Sequence, residues 1–297
     1  MITSKDFMLC QSITESEALA LKQEEYTCNR KYDGIRIVAV IEKYQNIPLT
    51  PFQEDIIVSK SVILLNRRGG CVNKNFREVI KDLEEFSKRL KDGEVMILDG
   101  EIISIDDNFT KLQRRALTKD TNKIKALEKE VPIKYMIFDI LNRGDKNLML
   151  EPLSVRIQEL QKIYNETKHL NNIELAEYGK ITEMLEKAKA EKREGCVVKD
   201  LNGIYEGRRS PHWKKLKFWL EADITFTKYT INNMGIRVET DDGKVACQIA
   251  GTEQSQEVKE VLDKDGKVEV TIQYLSKNEE TGGYRFPSYK KLVSTGI

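Results

Sequence analysis

In the stretch "NRKYDGIR", Lys31, Asp33, Gly34 and Arg36 stand at the head of an apolar, β-branched run that includes Ile35, Ile37, Val38 and Val40. A lysine ammonium is unreactive in neutral water, but desolvation or nearby cations depress its pKa and make it a nucleophile. A turn mounted on a buried strand would hold such a lysine rigidly. Further along, "GRRSPHWKKLK" carries Arg208, Arg209, Lys214, Lys215 and Lys217 with no acid among them. Strand alternation puts Trp213, Lys215 and Lys217 on one face. Cations beside a tryptophan suit a polyanion such as a nucleotide phosphate, and the same lysines also suit an edge strand guarded against aggregation. Acids occur in similar settings: Asp99 and Glu101 flank Gly100 in "ILDGEII", Asp139 follows Phe138 in "YMIFDIL", and Glu194 and Lys199 bound "EGCVVK". A carboxylate within an apolar run needs a cation or a ligand hydroxyl. Occurring together and in this order, these residues suit a pocket that binds a nucleotide with a nucleophilic lysine at its α-phosphate.

The elements that would carry them alternate between strand and helix up to about residue 220. "IRIVAVIE", "VMILDGEIISI", "IKYMIFDIL" and "GCVVKD" have strand character, while "NFREVIKDLEEFSKRLKDG", "LSVRIQELQKIY" and "ITEMLEKAKAEK" have helical spacing. In the first of these helices Asn75 with Glu78 predicts a capping box and Gly93 a stop. Beyond "WKKLKFWLEAD" the texture changes to short strands separated by turn signals such as "NNMG", "DDGK" and "DKDGK". About five short strands over residues 222–297 suit an OB-type barrel or a sandwich fragment.

Composition narrows the alternatives. With 297 residues, 40% hydrophobic and 33% charged, the chain has material for a large and a small core, and a net charge of +1 means that any polyanion site must be a local patch. Five scattered cysteines, none spaced Cys-x-x-Cys, argue against a disulfide framework or a zinc cluster, and His169 and His212 leave little for histidine chemistry. No apolar run approaches membrane-spanning length and the start has no signal-peptide pattern, so a reduced intracellular compartment is expected.

The residues quoted above resemble the covalent nucleotidyltransferases, and within them the ATP-dependent DNA ligases of the small viral or phage type. "KYDGIR" is similar to the nucleotidyl-lysine motif, and "NRRG" to the serine-arginine motif after it, with Arg67 in the arginine place and Asn66 in the serine place. "LDGEII", "YMIFDIL", "EGCVVK" and "WKKLK" resemble the later motifs in order. "NFTKLQRRA" is similar to the Phe-x-x-Leu-Gln-x-Arg stretch of DNA ligases and "EPLSVRIQEL" to their Pro-Leu-x-x-Arg helix. Any one motif is weak, but the ordered set covers essentially the whole chain.

The resemblance implies an α+β fold, a nucleotidyltransferase (adenylation) domain over residues 1–220 followed by a small β-barrel OB-fold domain over residues 221–297. It implies that Lys31 attacks the α-phosphate of ATP, that AMP passes to the 5′-phosphate of a nick, and that the 3′-hydroxyl then seals the strand. Lys31, Asp33, Glu194, Lys215 and Lys217 would be catalytic. Asn29, Arg30, Arg36, Arg67, Glu101 and Phe138 would join Lys31, Glu194, Lys215 and Lys217 around the nucleotide. Within that set Glu101 would hold the ribose hydroxyls, Phe138 would stack on adenine, and Asn29 or the backbone near it would read the adenine edge. Arg36, Arg67, Arg208, Arg209 and Arg285 would meet DNA, and Asp33 and Glu194 would hold Mg²⁺. The partner implied is nicked double-stranded DNA, with no membrane, and the protein a monomer in the cytoplasm of a bacterial or phage-infected cell, serving replication, repair or recombination. In the small domain "YRFPSYKKLVS" has Val293 where a further arginine is usual, leaving Lys290 or Lys291 to substitute. An RNA ligase or an mRNA-capping guanylyltransferase would share the lysine chemistry. A non-catalytic module that binds nucleic-acid ends would leave Lys31, Glu101, Glu194 and Lys217 unexplained.

Overall fold

The structure, a computed structural model, describes residues 7–43, 61–167, 169–277 and 281–293. The chain divides after Leu216 into two compact units. The first begins with β1 (Leu9–Ser12), α1 (Glu15–Leu19), β2 (Tyr26–Arg30), β3 (Ile35–Glu42), β4 (Val62–Asn66), α2 (Arg77–Ser87) and β5 (Val95–Ser104). It continues with α3 (Phe109–Leu117), α4 (Thr121–Glu130), β6 (Ile133–Arg143), β7 (Lys146–Asn147), α5 (Leu153–Thr167) and β8 (Ile173–Leu175). It closes with α6 (Ile181–Ala190), β9 (Gly195–Asp200) and β10 (Arg209–Lys217).

These strands form two sheets. One has the order β1-β10-β9-β2; the other runs β4-β3-β5-β6-β7 with β8 beside β6. Alternation gives the larger sheet two different faces. Ile37, Ala39, Leu98, Ile102, Tyr135 and Ile137 form the main core with Val79, Ile80, Leu83 and Phe86 of α2. From its other face Ile103, Met136 and Phe138 pack with Met8, Tyr32 and Trp213 in a separate cluster. Arg36, Glu101 and Phe138 alternate with the core residues of β3, β5 and β6, so they lie on the side of the sheet where that second cluster packs.

The helix expected from residue 75 to a stop at Gly93 forms over Arg77–Ser87, ending short of Gly93 and without its capping box. Phe76 takes the N-cap position with no side-chain hydrogen bond. Asn75 instead donates to the carbonyls of Arg115 and Thr118 at 2.9 and 2.8 Å, and Glu78 accepts from Arg115 at 2.6 Å. Tertiary contacts therefore take both capping groups. Leu112 and Arg115 of "NFTKLQRRA" are fully buried, and Arg115 also donates to the carbonyls of Asn75 and Val131. This ligase-like stretch fastens α3 to the start of α2.

The second unit comprises β11 (Leu220–Phe226), β12 (Lys228–Asn232), β13 (Gly235–Glu239), β14 (Ala246–Ala250), α7 (Thr252–Asp265) and β15 (Val268–Tyr274). The hairpin β16 (Ser276–Lys277) with β17 (Tyr284–Arg285), and β18 (Ser288–Leu292), complete it. A six-stranded sheet ordered β11-β15-β18-β14-β13-β12 packs with Val258 and Leu262 of α7 around one core. Helix α7 lies where turn signals predict only loops. Its signal is Val258, Val261 and Leu262 at helical spacing, closed by Gly266, whose φ of 69° is a left-handed C-cap. No helix among the described residues is long and apolar enough to cross a membrane.

Candidate active site

Lys31 directly follows β2. Its backbone N–H donates to the Gly195 carbonyl at 2.9 Å, which ties the turn to the start of β9. Its Nζ donates to Glu194 Oε2 at 2.8 Å, with the two side chains 22% and 8% exposed. The turn needs Gly34, because a Cβ there would stand 2.2 Å from the Ile102 carbonyl oxygen. Gly100 is needed in the same way on β5, where a Cβ would come within 2.6 Å of the Met136 carbonyl oxygen and the Tyr135 ring. These two glycines let β3, β5 and β6 lie close enough to bring their charged groups to one place. Asp33, half-buried, occupies the turn between Lys31 and Gly34.

Arg36 and Glu101 are register partners across β3 and β5, yet the guanidinium pairs with Asp99. Nε and Nη2 of Arg36 donate to the two Asp99 oxygens at 2.6 and 2.5 Å, and the Tyr205 hydroxyl donates to Asp99 Oδ2 at 2.7 Å. Asp99 is fully buried, so this bidentate pair and its third donor satisfy a carboxylate that water cannot reach. Glu101 has no such partner among the described residues. Burial pushes its carboxyl up to about 7, opposed by Lys31 and Arg36 and reinforced by Glu194 and Asp99. Burial likewise raises the Cys10 thiol, against the pull of Arg36, Lys199, Lys31 and Lys215. That set of cations converges on β1 and makes a local basic site in a nearly neutral chain.

Phe138 is 6% exposed, within the cluster that also holds Met136 and Trp213. Asn29 lies opposite Val197 in the β2–β9 ladder and is 2% exposed. Its Nδ2 donates to the Arg30 carbonyl at 3.0 Å, while its Oδ1 is buried with no hydrogen-bond partner. A buried amide oxygen left unsatisfied among the described residues can accept a hydrogen bond from a ligand donor.

The remaining expected site residues are spread along β2, the turn after β4, β10 and the second unit. Arg30 pairs with Asp107 at 2.5 Å and lies over the Tyr32 ring, lining a cavity of about 320 Å³ with Lys134, Glu174 and Lys187. Arg67 is exposed on the turn after β4. Arg208, also exposed, pairs with Glu206 at 2.5 Å, and Arg209 donates to the Cys10 carbonyl. Lys215 stands near Cys10, whereas Lys214, on the other face of β10, lies over Tyr26. Lys217 opens the second unit, where its ammonium lies 5.3 Å from the Trp219 ring centre and 5.5 Å from that of Phe286. Arg285 stacks on Phe286 in the same unit, and Lys290 pairs with Glu221. Tyr205 gives no sequence signal, and the places of Asp99 and Lys199 come from the tertiary structure alone. All five cysteines are free thiols. Among the described residues no group of three or more His, Cys, Asp or Glu could hold a metal ion.

The fold is a mixed α/β unit followed by a smaller, OB-fold-like unit. Residues 7–217 match the family model for the ATP dependent DNA ligase domain, and the chain belongs to that family. Among curated proteins it is similar to a probable DNA ligase of Sorangium cellulosum (strain So ce56), 31% identical over 93 residues, or 31% of this chain and 17% of that protein. The matched stretch spans less than a fifth of the curated relatives it resembles. Among solved structures, the ligase domain of M. tuberculosis LigD superposes with a TM-score of 0.58 at 16% identity, covering 97% of this chain and 94% of that one. A structure from a study of DNA binding with a minimal scaffold by Lig E DNA ligases gives a TM-score of 0.63 at 16% identity, covering 97% and 98%.

Proposed function

We propose that this chain is an ATP-dependent DNA ligase that seals nicks between a 5′-phosphate and a 3′-hydroxyl in duplex DNA. The observation that carries the reading is the Lys31 ammonium, held 2.8 Å from Glu194 at a site where Arg36 and Lys215 also converge. Phosphoryl transfer depends mainly on positioning and charge neutralisation, which such a cluster supplies.

In the first step the Lys31 Nζ–P bond forms at the α-phosphate of ATP as the bond to pyrophosphate breaks. Glu194, already accepting from Nζ, aims the amine and is placed to take its departing proton. Lys215 and Arg36 offset the charge on the phosphate, and Glu101 meets the ribose hydroxyls. The open Asn29 Oδ1 suits the 6-amino group of adenine, whereas guanine would set its 6-oxo acceptor against another acceptor. AMP then passes from Lys31 to the 5′-phosphate of the nick, and the 3′-hydroxyl displaces it. Asp33 and Glu194 suit Mg²⁺, which keeps water and phosphate ligands and needs only one or two carboxylates; its chemistry would be to neutralise phosphate charge. Arg67, Arg208 and Arg209, exposed on the first unit, suit the DNA backbone, with Arg285 of the second unit alongside them in this role, and the protein acts as a monomer.

Incubation with α-labelled ATP or GTP, followed by gel assays on nicked DNA, nicked DNA–RNA hybrid and RNA, tests the proposal. The expected result is a covalent adduct with ATP, absent in Lys31→Ala, and sealing of nicked DNA by the wild type alone. An adduct formed only with GTP, or sealing retained by Lys31→Ala, would overturn it.

A further inference from the structure

Lys199, at the end of the "EGCVVK" strand, has no part in the chemistry above. Its side chain is 1% exposed, and among the described residues no carboxylate lies within ion-pair distance. Aromatic rings surround it instead. Its Nζ is 4.2 Å from the Trp213 ring centre, 4.6 Å from that of Phe138 and 5.1 Å from that of Tyr178. It donates to the Tyr178 hydroxyl at 3.0 Å and to the Phe138 carbonyl at 3.4 Å. The Tyr178 hydroxyl also donates to the Phe138 carbonyl. Desolvated cation–π contacts and these hydrogen bonds partly offset the cost of burying an ammonium, but a methionine would fill the space without that cost.

What the ammonium supplies is a bridge between the two sheets. Lys199 is on β9 and Phe138 on β6, which belong to different sheets. Two positions before Lys199 on β9, Val197 stands opposite Asn29. We propose that Lys199 is a positioning residue that ties these two sheets together as a brace, holding Phe138 in place relative to Asn29 so that a base can stack on one while its edge is read by the other. The inference rests on the ligase reading for the identity of the base, but not for the brace.

The surroundings also make the brace titratable. Burial brings the Lys199 ammonium down to about 8, opposed by Asp139 of β6, lowered further by Arg36 of β3, and raised by Cys10 of β1 and Asp99 of β5. Tyr178, on the loop before α6, is itself held well above its ordinary range by burial and stays neutral as Lys199 titrates.

The test combines nucleotide kinetics with fluorescence. Lys199→Met is expected to raise KM for ATP in lysyl-adenylate formation about tenfold while changing kcat less than about threefold, with Lys199→Arg restoring most of the loss. An unchanged KM overturns the brace, as does a fall in kcat alone, which would place the ammonium on the reacting phosphate. Tyr178→Phe, which removes one acceptor from the ammonium, is expected to raise KM by a smaller factor and covers the case in which Lys199→Met does not fold. No change in that variant also overturns the proposal. The chain has two tryptophans, so Trp219→Phe leaves Trp213 as the sole indole. Its emission is expected to titrate with a midpoint near 8 and to lose that step in Lys199→Met. If the wild type forms no adduct with ATP the ligase reading fails, yet the brace is still decided by comparing Trp213 emission in the Trp219→Phe background: a spectrum shifted by Lys199→Met supports the bridge and an unchanged one refutes it.

Discussion

Replacing Glu101 by glutamine is expected to stabilise the folded protein at alkaline pH while weakening nucleotide chemistry. Burial holds this carboxyl at about 7, against 4.5 for the ordinary side chain. As pH rises between those values, the unfolded chain gives up its proton first and so binds fewer protons than the folded one. Stability from this group therefore falls as pH rises, from no cost below about 4.5 to the full cost above about 7. At about 1.36 kcal/mol per pH unit, the separation sets an upper bound of about 3 kcal/mol, of which roughly 2.5 kcal/mol appears between about pH 5 and about pH 8. Glutamine has the same shape and no proton to lose. Urea melts of wild type and Glu101→Gln at those two pH values measure the difference directly: the variant gains relative stability at the higher pH. The reasoning assigns the shift to burial of an ionised group, so a difference in stability that does not change with pH would refute it. The same substitution is expected to reduce lysyl-adenylate formation at least tenfold, because an amide is a poorer acceptor for ribose hydroxyls than a carboxylate. Retaining an unfavourable buried acid is the kind of stability–function compromise common in binding sites.

Asp139 and Arg156 are both fully buried and bonded through two contacts at 2.7 and 3.1 Å behind Phe138. Asp139→Asn is expected to cost about 3–5 kcal/mol in denaturant melts, and pairing Asp139→Leu with Arg156→Met to recover most of that loss. Gly100→Ala places a methyl 2.6 Å from the Met136 carbonyl oxygen and is expected to cost about 1–3 kcal/mol, which a thermal melt would register. Arg208→Ala and Arg209→Ala, changing exposed residues, are each expected to lower the slope of log affinity for nicked duplex against log salt by about one, with little effect on adenylate formation.

Which way side chains point from each strand was legible in the primary structure because strand geometry is periodic. Glu101 and Phe138 each occupy a position whose neighbours are core residues, so alternation alone turns them away from the main core. The same rule places Lys215 with Trp213 on the groove side of β10. The rule failed where distant segments competed for one side chain. Asn75 and Glu78 have the spacing of a capping box, but Arg115, almost forty positions away, takes both. Helix α7 was missed because "DKDGK" and nearby polar residues read as turns, while the apolar triplet beneath them is short.

The sequence by itself determined which chemical groups are present and on which side of each strand they fall: a lysine after β2, acids on β5 and just before β9, and cations on β3 and β10. Those follow from local spacing, which is set by backbone geometry. Only the tertiary structure decided partners. It gave Arg36 to Asp99 and not to its register neighbour Glu101, left Asn29 Oδ1 open, and enclosed Lys199 among three rings contributed by β6, β10 and the loop before α6. Partner choice depends on which segments, far apart along the chain, share a low-dielectric space, and spacing along one strand carries no information about that.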